Sequence, residues 1–256
     1  MKDNEFPKII QKYIKDMTCI RDTIGCSESS VYCFTNHDNV LYLKVQKSST
    51  EFEHEKKMIQ WLQERLPTPQ IVTQFKEQGY DYLLMTKAIG EMACSEKYLN
   101  DPEKLVRLLA TGIKMLQGVD IAECPFDSTL KNKLNIAKKR VENNEVDMSD
   151  WEENTPFKSP KELYNYLVEN QPDEELVFSH GDYCLPNVFF DNNKVTGFID
   201  LGDAGIADKW QDIALCMRSL EHNLQNKKYI DLFFELIDIK PNYEKINYYI
   251  LLDELF

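Results

Sequence analysis

β-Branched and aromatic residues concentrate in Val31-Tyr32-Cys33-Phe34 and again in Val40-Leu41-Tyr42-Leu43-Lys44-Val45, with the polar run Thr35 to Asn39 between them. Two such runs around a polar turn predict a β-hairpin. Ahead of it lies a short loop of small and polar residues, Gly25 to Ser30. After it, Ser48, Ser49 or Thr50 can cap a helix running to about Leu66, where Pro67 and Pro69 stop it. Tyr80-Asp81-Tyr82-Leu83-Leu84-Met85 alternates and then turns apolar, as a partly buried strand does. Strands around one helix make a small β-rich section.

The remainder reads as mostly helical. Leu105, Leu108, Leu109, Gly112 and Leu116 share one face of a helix begun by Asp101-Pro102. Ser159-Pro160-Lys161-Glu162 is a capping box with proline at the first helical position. Leu176-Val177-Phe178 predicts a short buried strand leading into His180. Val188-Phe189-Phe190 and Val195 to Ile199 flank Asp191-Asn192-Asn193-Lys194, a second hairpin signal, and two or three helices follow to the last residue. No repeat, low-complexity tract or flexible linker intervenes. The expected organisation is therefore α+β: a small antiparallel N-lobe over residues 1–89 and a larger helical C-lobe over 90–256. A short hinge near Thr86 to Gly90 should join them.

Composition narrows the class. At 256 residues, 43% hydrophobic and 29% charged, the chain can bury a good core like an ordinary soluble protein. Seven cysteines without a C-x-x-C pair predict reduced core residues of a cytoplasmic protein. The N-terminus leads into no long apolar run, so neither a signal peptide nor a membrane span is expected. A formal net charge of −13 argues against a nucleic-acid partner. The same acidity fits either plain solubility or an acidic cleft for a cationic substrate.

The candidate chemistry sits in His180-Gly181-Asp182, with Asn187 five residues past the aspartate and Asp200 thirteen beyond that. Phosphoryl transfer needs a carboxylate to orient the attacking hydroxyl and oxygen ligands to hold magnesium on the phosphates. H-x-D-x-x-x-x-N followed by an aspartate at a strand end meets both needs. Asp182 is the candidate catalytic carboxylate, and Asn187 and Asp200 are the candidate magnesium ligands. Taken singly, each is also a plausible turn or cap residue; together, at this spacing, they point to a kinase. His180 is expected to be structural.

Lys44 and Glu55 supply a separate argument. Glu55 shares a helix face with Phe52, Ile59 and Leu62, at offsets of three, four and seven. A carboxylate on an apolar face is costly unless paired. Lys44, near the end of the preceding strand, is the expected partner, and such a pair positions nucleotide phosphates in kinases. The chain lacks G-x-x-x-x-G-K-[ST], so it is not a P-loop NTPase by motif.

These residues in order resemble the aminoglycoside 3′-phosphotransferases, which have the two-lobed fold of protein kinases. The resemblance runs from Tyr42-Leu43-Lys44 through Trp151 to Lys158 and Glu174 to Asp182, and it ends in Tyr248-Tyr249-Ile250-Leu251-Leu252-Asp253-Glu254-Leu255-Phe256. It implies ATP with magnesium as cofactors and transfer of phosphate to the 3′-hydroxyl of a kanamycin- or neomycin-type antibiotic. It also implies that Tyr42 stacks on adenine, Ser27 lies near the β-phosphate, and Thr86 and Ala88 meet the adenine edge. Phe189 and Ile199 would wall the base pocket. The aminoglycoside would be held by Asp182, Glu152, Asp253, Glu254 and the terminal carboxylate of Phe256, in a monomer or weak dimer.

Some positions differ from the pattern. Asp203 stands three residues after Asp200, where family members often carry arginine, and Ser149 and His222-Asn223 replace acidic residues. A kinase for choline, homoserine or a similar metabolite, and a non-catalytic nucleotide-binding protein of the same fold, are the alternatives.

Overall fold

In the computed structural model, which describes residues 6–22, 29–149, 151 and 155–256, the first section is one antiparallel sheet with a helix on each face. Its strands are β1 (Thr18–Asp22), β2 (Ser30–Thr35), β3 (Val40–Lys47), β4 (Ile71–Glu77) and β5 (Tyr80–Thr86), in the order β1-β2-β3-β5-β4. The register of β3 on β5 sets Leu43 opposite Leu84 and Lys44 opposite Leu83. Because side chains alternate along a strand, these two pairs face opposite sides of the sheet. Leu43, Leu84 and Phe34 pack with Ile10 and Ile14 of α1 (Lys8–Ile14). Leu83 instead joins Phe52, Met58, Ile59 and Leu62 of α2 (Thr50–Leu62). Lys44 is thereby aimed at the side of the sheet that α2 covers.

Ser49 caps α2 as expected, its hydroxyl accepting the Phe52 N–H at 3.2 Å. The helix stops at Leu62, one turn short of the expected Leu66. Leu62 O accepts the N–H groups of both Arg65 and Leu66, at 2.8 and 2.9 Å. That tightened turn closes the helix before the prolines can.

Past Thr86, β6 (Glu91–Met92) pairs with β8 (Val188–Asp191), which pairs with β9 (Lys194–Phe198). β7 (Leu176–Ser179) pairs with β10 (Gly205–Asp208). Around these small sheets lie α3 (Glu96–Leu99), α4 (Pro102–Gln117), α5 (Leu130–Asn143), α6 (Pro160–Glu169), α7 (Lys209–Leu224), α8 (Lys227–Ile237) and α9 (Tyr243–Asp253). Ser159 caps α6 by accepting the Glu162 N–H at 3.2 Å, while the Glu162 carboxylate reaches back to the Lys158 N–H at 2.9 Å. The large core runs from α2 through α4 and α7 to α9, so both sections share one apolar cluster. No helix among the described residues is long and apolar enough to cross a membrane.

Candidate active site

β7 delivers the chain to the loop His180-Gly181-Asp182. Gly181 has φ +89, and a Cβ there would lie 2.4 Å from Asp203 O, so only glycine fits. The loop backbone is held from α7. Asp212 accepts the His180 N–H at 2.7 Å and the Gly181 N–H at 3.0 Å. Gln211 donates to Gly181 O at 2.7 Å. Burial pushes the Asp212 carboxyl up, against the pull of His180 and of its hydrogen bonds. His180 is buried, its Nδ1 accepting the Asp182 N–H at 3.4 Å.

A 3-10 turn at Leu185–Asn187 carries Asn187 back over the loop. Its side-chain N–H donates to Asp182 Oδ2 at 2.7 Å and to Asp182 O at 3.1 Å. Cys184 Sγ lies 3.6 Å from the same Oδ2. Burial pushes the Asp182 carboxyl above its ordinary range; nearby His180 opposes this, while Asp253 and Asp200 add to it. Asp200 follows β9 with φ +57, a left-handed conformation that aspartate tolerates better than most residues. Backbone pairing of Ile199 N–H with Asn187 O at 3.0 Å ties the two candidate metal ligands together.

From β3, Lys44 Nζ lies 2.8 Å from Glu55 Oε2 and 3.4 Å from Asp200 Oδ1. Glu55 is only 4% exposed, on the face with Phe52, Ile59 and Leu62. Burial works against the charge on Lys44, but Glu55 and then Asp200 outweigh it and raise its pKa. Burial likewise pushes Glu55 up, and Lys44 is the group that pulls it back.

Two of the residues expected to wall the base pocket lie side by side. A Cβ added at Gly197 would lie 3.1 Å from Phe189 Cβ and 3.2 Å from Ala88 Cβ, so these residues adjoin. Tyr42 stands two residues before Lys44 on β3, on the same face. Thr86 gives its N–H to Gln70 O at 3.0 Å, and its hydroxyl accepts the Gln70 N–H at 2.9 Å. Ile199 is half-buried beside Asp200. Thr196 Oγ1 donates to Ile89 O at 2.6 Å and pins the chain leaving the sheet.

The acidic tail is held from within the chain. Arg218 binds the Asp253 carboxylate, and Trp151 Nε1 donates to Glu254 O at 2.8 Å. Arg140 donates to Leu255 O at 2.9 Å and to Phe256 O. The sequence leaves the crowding of acids at the end of α9 unanswered by any cation but a substrate; the structure supplies Arg218 and Arg140. Ser27 and Glu152 lie outside the described residues.

Asp212, Gln211, Arg218 and Arg140 are absent from the sequence-based site. Asp212 had a usable signal, since it interrupts the apolar stretch Trp210, Ile213, Ala214, Leu215, Cys216 and Met217, as Glu55 interrupts its own. Arg218 and Arg140 had none, because their partners lie 35 and 115 or more residues away.

Asn187 turns its amide nitrogen to Asp182 and so its oxygen away from it. The side chain of Asp200 is 55% exposed. Two hard oxygen donors, without a dense carboxylate cage, fit magnesium, which takes its remaining ligands from phosphates and water. Among the described residues no cluster of three or more His, Cys, Asp or Glu side chains could hold a metal by itself.

Residues 21–246 match the model of the phosphotransferase enzyme family. The chain is 44% identical to the aminoglycoside 3′-phosphotransferase of Enterococcus faecalis over 98% of this chain and 97% of that protein. It is 35% identical to the one from Campylobacter jejuni over 96% and 100%. Among solved structures it is similar to a type VIII aminoglycoside-3′-phosphotransferase, with TM-score 0.82, 28% identity, and 93% and 94% of the two chains covered. The fold also matches a 3″-type aminoglycoside phosphotransferase of Streptomyces rimosus in complex with ADP and streptomycin, at TM-score 0.84 and 22% identity over 100% and 99% of the two chains.

Proposed function

We infer, because this chain belongs to the phosphotransferase enzyme family and within it to the aminoglycoside 3′-phosphotransferases, that it phosphorylates the 3′-hydroxyl of kanamycin- and neomycin-type antibiotics with ATP. Its kinase-like fold holds the nucleotide between lobes, with the boundary at residues 89 and 90. The observation that carries the reading is the meeting of both lobes at one point: Lys44 bonded to Glu55 and Asp200, above Asn187 bonded to Asp182.

Asp182 accepts or orients the proton of the attacking hydroxyl. Asn187 fixes the rotamer of the Asp182 carboxylate. Lys44, oriented by Glu55, meets the α- and β-phosphates. Asn187 and Asp200 would hold magnesium, which supplies charge neutralisation on the phosphate oxygens when bound. Tyr42, Phe189, Ile199 and the Thr86–Ala88 backbone take adenine, and Ser27 approaches the β-phosphate.

Asp253, Glu254, Glu152 and the Phe256 carboxylate would face the amino-sugar, Asp253 and the Phe256 terminus while also held by Arg218 and Arg140. Ammonium groups desolvated in a cleft need carboxylates close by, and these four with Asp182 provide several separated ones. Single-headed cations such as choline do not need that number. An ADP-release assay with magnesium, ATP and a panel of aminoglycosides, choline and homoserine tests the reading. Turnover should depend on the aminoglycosides; turnover with choline or homoserine alone would overturn it.

A further inference from the structure

We propose that His54 is a positioning residue for nucleotide turnover, tying the helix that carries Glu55 to the loop that carries Asp200. The inference rests on the reading of the cleft given above and adds a residue to it.

The His54 ring lies flat on Phe126, with centroids 3.5 Å apart and 12° between planes. Its Nε2 is 2.7 Å from Ala204 O. A carbonyl oxygen only accepts, so Nε2 carries the hydrogen. Burial lowers the pKa of this imidazole, and the neutral ring already supplies that hydrogen.

Phe126 and Ala204 form one rigid seat. Ile206 N–H donates to Phe126 O at 3.0 Å, Ser128 N–H to Ile206 O at 2.9 Å, and Ser128 Oγ to Asp203 O at 3.2 Å. Gly205 lets the two strips approach, since a Cβ there would meet Ser128 Oγ at 2.5 Å and Phe126 O at 2.9 Å. The seat is continuous with Asp200, four residues before Ala204.

The contact matters because of where α2 is otherwise held. Met58, Ile59 and Leu62, in its second half, are embedded in the large core, where the first half places only Phe52. Its first half borders an open cleft of about 420 Å³ lined by Ser48, Ser49, Thr50, Glu53, His54, Lys57, Lys76 and Phe126. His54 bridges that half to the catalytic section and is the neighbour of Glu55 in the chain. Lys44–Glu55, His54–Ala204 and Asp200–Lys44 thus close a circuit around the phosphate end of the cleft. Loss of the His54 link frees Glu55, and with it Lys44, to move against Asp200. Since the ring borders an open cleft, its truncation widens solvent space and leaves the core filled.

The test compares His54→Gln, His54→Phe and His54→Ala by thermal melting, by steady-state kinetics and by displacement of a fluorescent ATP analogue with magnesium present. Gln keeps an N–H donor for Ala204 O; Phe keeps the stack alone. Loss of one hydrogen bond predicts a KM for ATP raised about three- to tenfold in Phe and Ala, with the aminoglycoside KM within about twofold of wild type. Gln should stay within about twofold of wild type in both. A Phe variant with the wild-type ATP KM would overturn the proposal. So would equal rises in both KM values alongside a fallen Tm, the mark of general loosening. If the wild type ignores aminoglycosides, the functional reading fails, and analogue affinity alone decides the role of His54 by the same pattern.

Discussion

The Asn187 side chain donates to the Asp182 carboxylate at 2.7 Å, so one bond sets both the candidate base and the candidate metal ligand. The bond engages one Asp182 oxygen and turns the Asn187 oxygen away from it. Replacing Asn187 with alanine removes the orienting donor and one magnesium ligand together. We expect kcat to fall at least about 100-fold and half-saturation by magnesium to rise, with Tm little changed. A metal titration of the purified variant checks this; unchanged magnesium dependence would remove Asn187 from the metal site.

Lys44→Met should separate stability from catalysis. It strands the Glu55 carboxylate in a buried position, and breaking such a pair costs about 3 kcal/mol, or some 6–12 °C in Tm for a chain of this size. In the variant Glu55 has a folded pKa above its unfolded value, so stability is retained at low pH and lost as pH rises through the folded value. Adding Glu55→Gln should recover the Tm at pH 8 without recovering ATP affinity. Scanning calorimetry at pH 5 and pH 8 reads the first effect and nucleotide binding the second.

The spacing of Asp182, Asn187 and Asp200 and the apolar face of Glu55 were legible because each is local in sequence. A helix face and a loop motif need no knowledge of the tertiary path. Arg218 and Arg140 were not, since their partners are brought near only by the packing of α5, α7 and the tail, and Asp212 showed only as a carboxylate within an apolar stretch, with no sign of the loop it holds. The end of α2 was misplaced because Leu62 O collects two N–H groups in a tightened turn that leaves no mark in the apolar pattern. α1 and β1, at one end of the sheet section, and β4, just past Pro67 and Pro69, carry no cap or turn signal of comparable strength.

His54 gives a pH signature on stability. Burial depresses its pKa below the ordinary value of about 6.5. Between the folded and unfolded values the unfolded chain binds the proton and the folded one does not. The His54 contribution therefore falls as pH drops below about 6.5 and is level above it. Subtracting the Tm–pH profile of His54→Phe from that of the wild type isolates the effect. A flat difference between pH 5 and pH 8 would contradict it.

The tail can be probed without damaging the core. Leu255 is fully buried, whereas Phe256 is exposed and held through its backbone by Arg140. Deleting Phe256 alone moves the terminal carboxylate back onto Leu255, out of the expected contact, and should raise the aminoglycoside KM about tenfold while leaving the ATP KM near wild type. Steady-state kinetics with each substrate varied in turn checks this; equal rises would assign the tail to general stability.

The central claim is transfer to a 3′-hydroxyl directed by Asp182. NMR of the product formed from kanamycin, ATP and magnesium, by wild type and by Asp182→Asn, tests it most directly. The expected result is a phosphorus coupled to the 3′ proton, no product from an aminoglycoside lacking that hydroxyl, and a folded Asp182→Asn protein with almost no turnover. Phosphate on another position, or a folded Asp182→Asn variant that keeps most of its activity, would contradict the account.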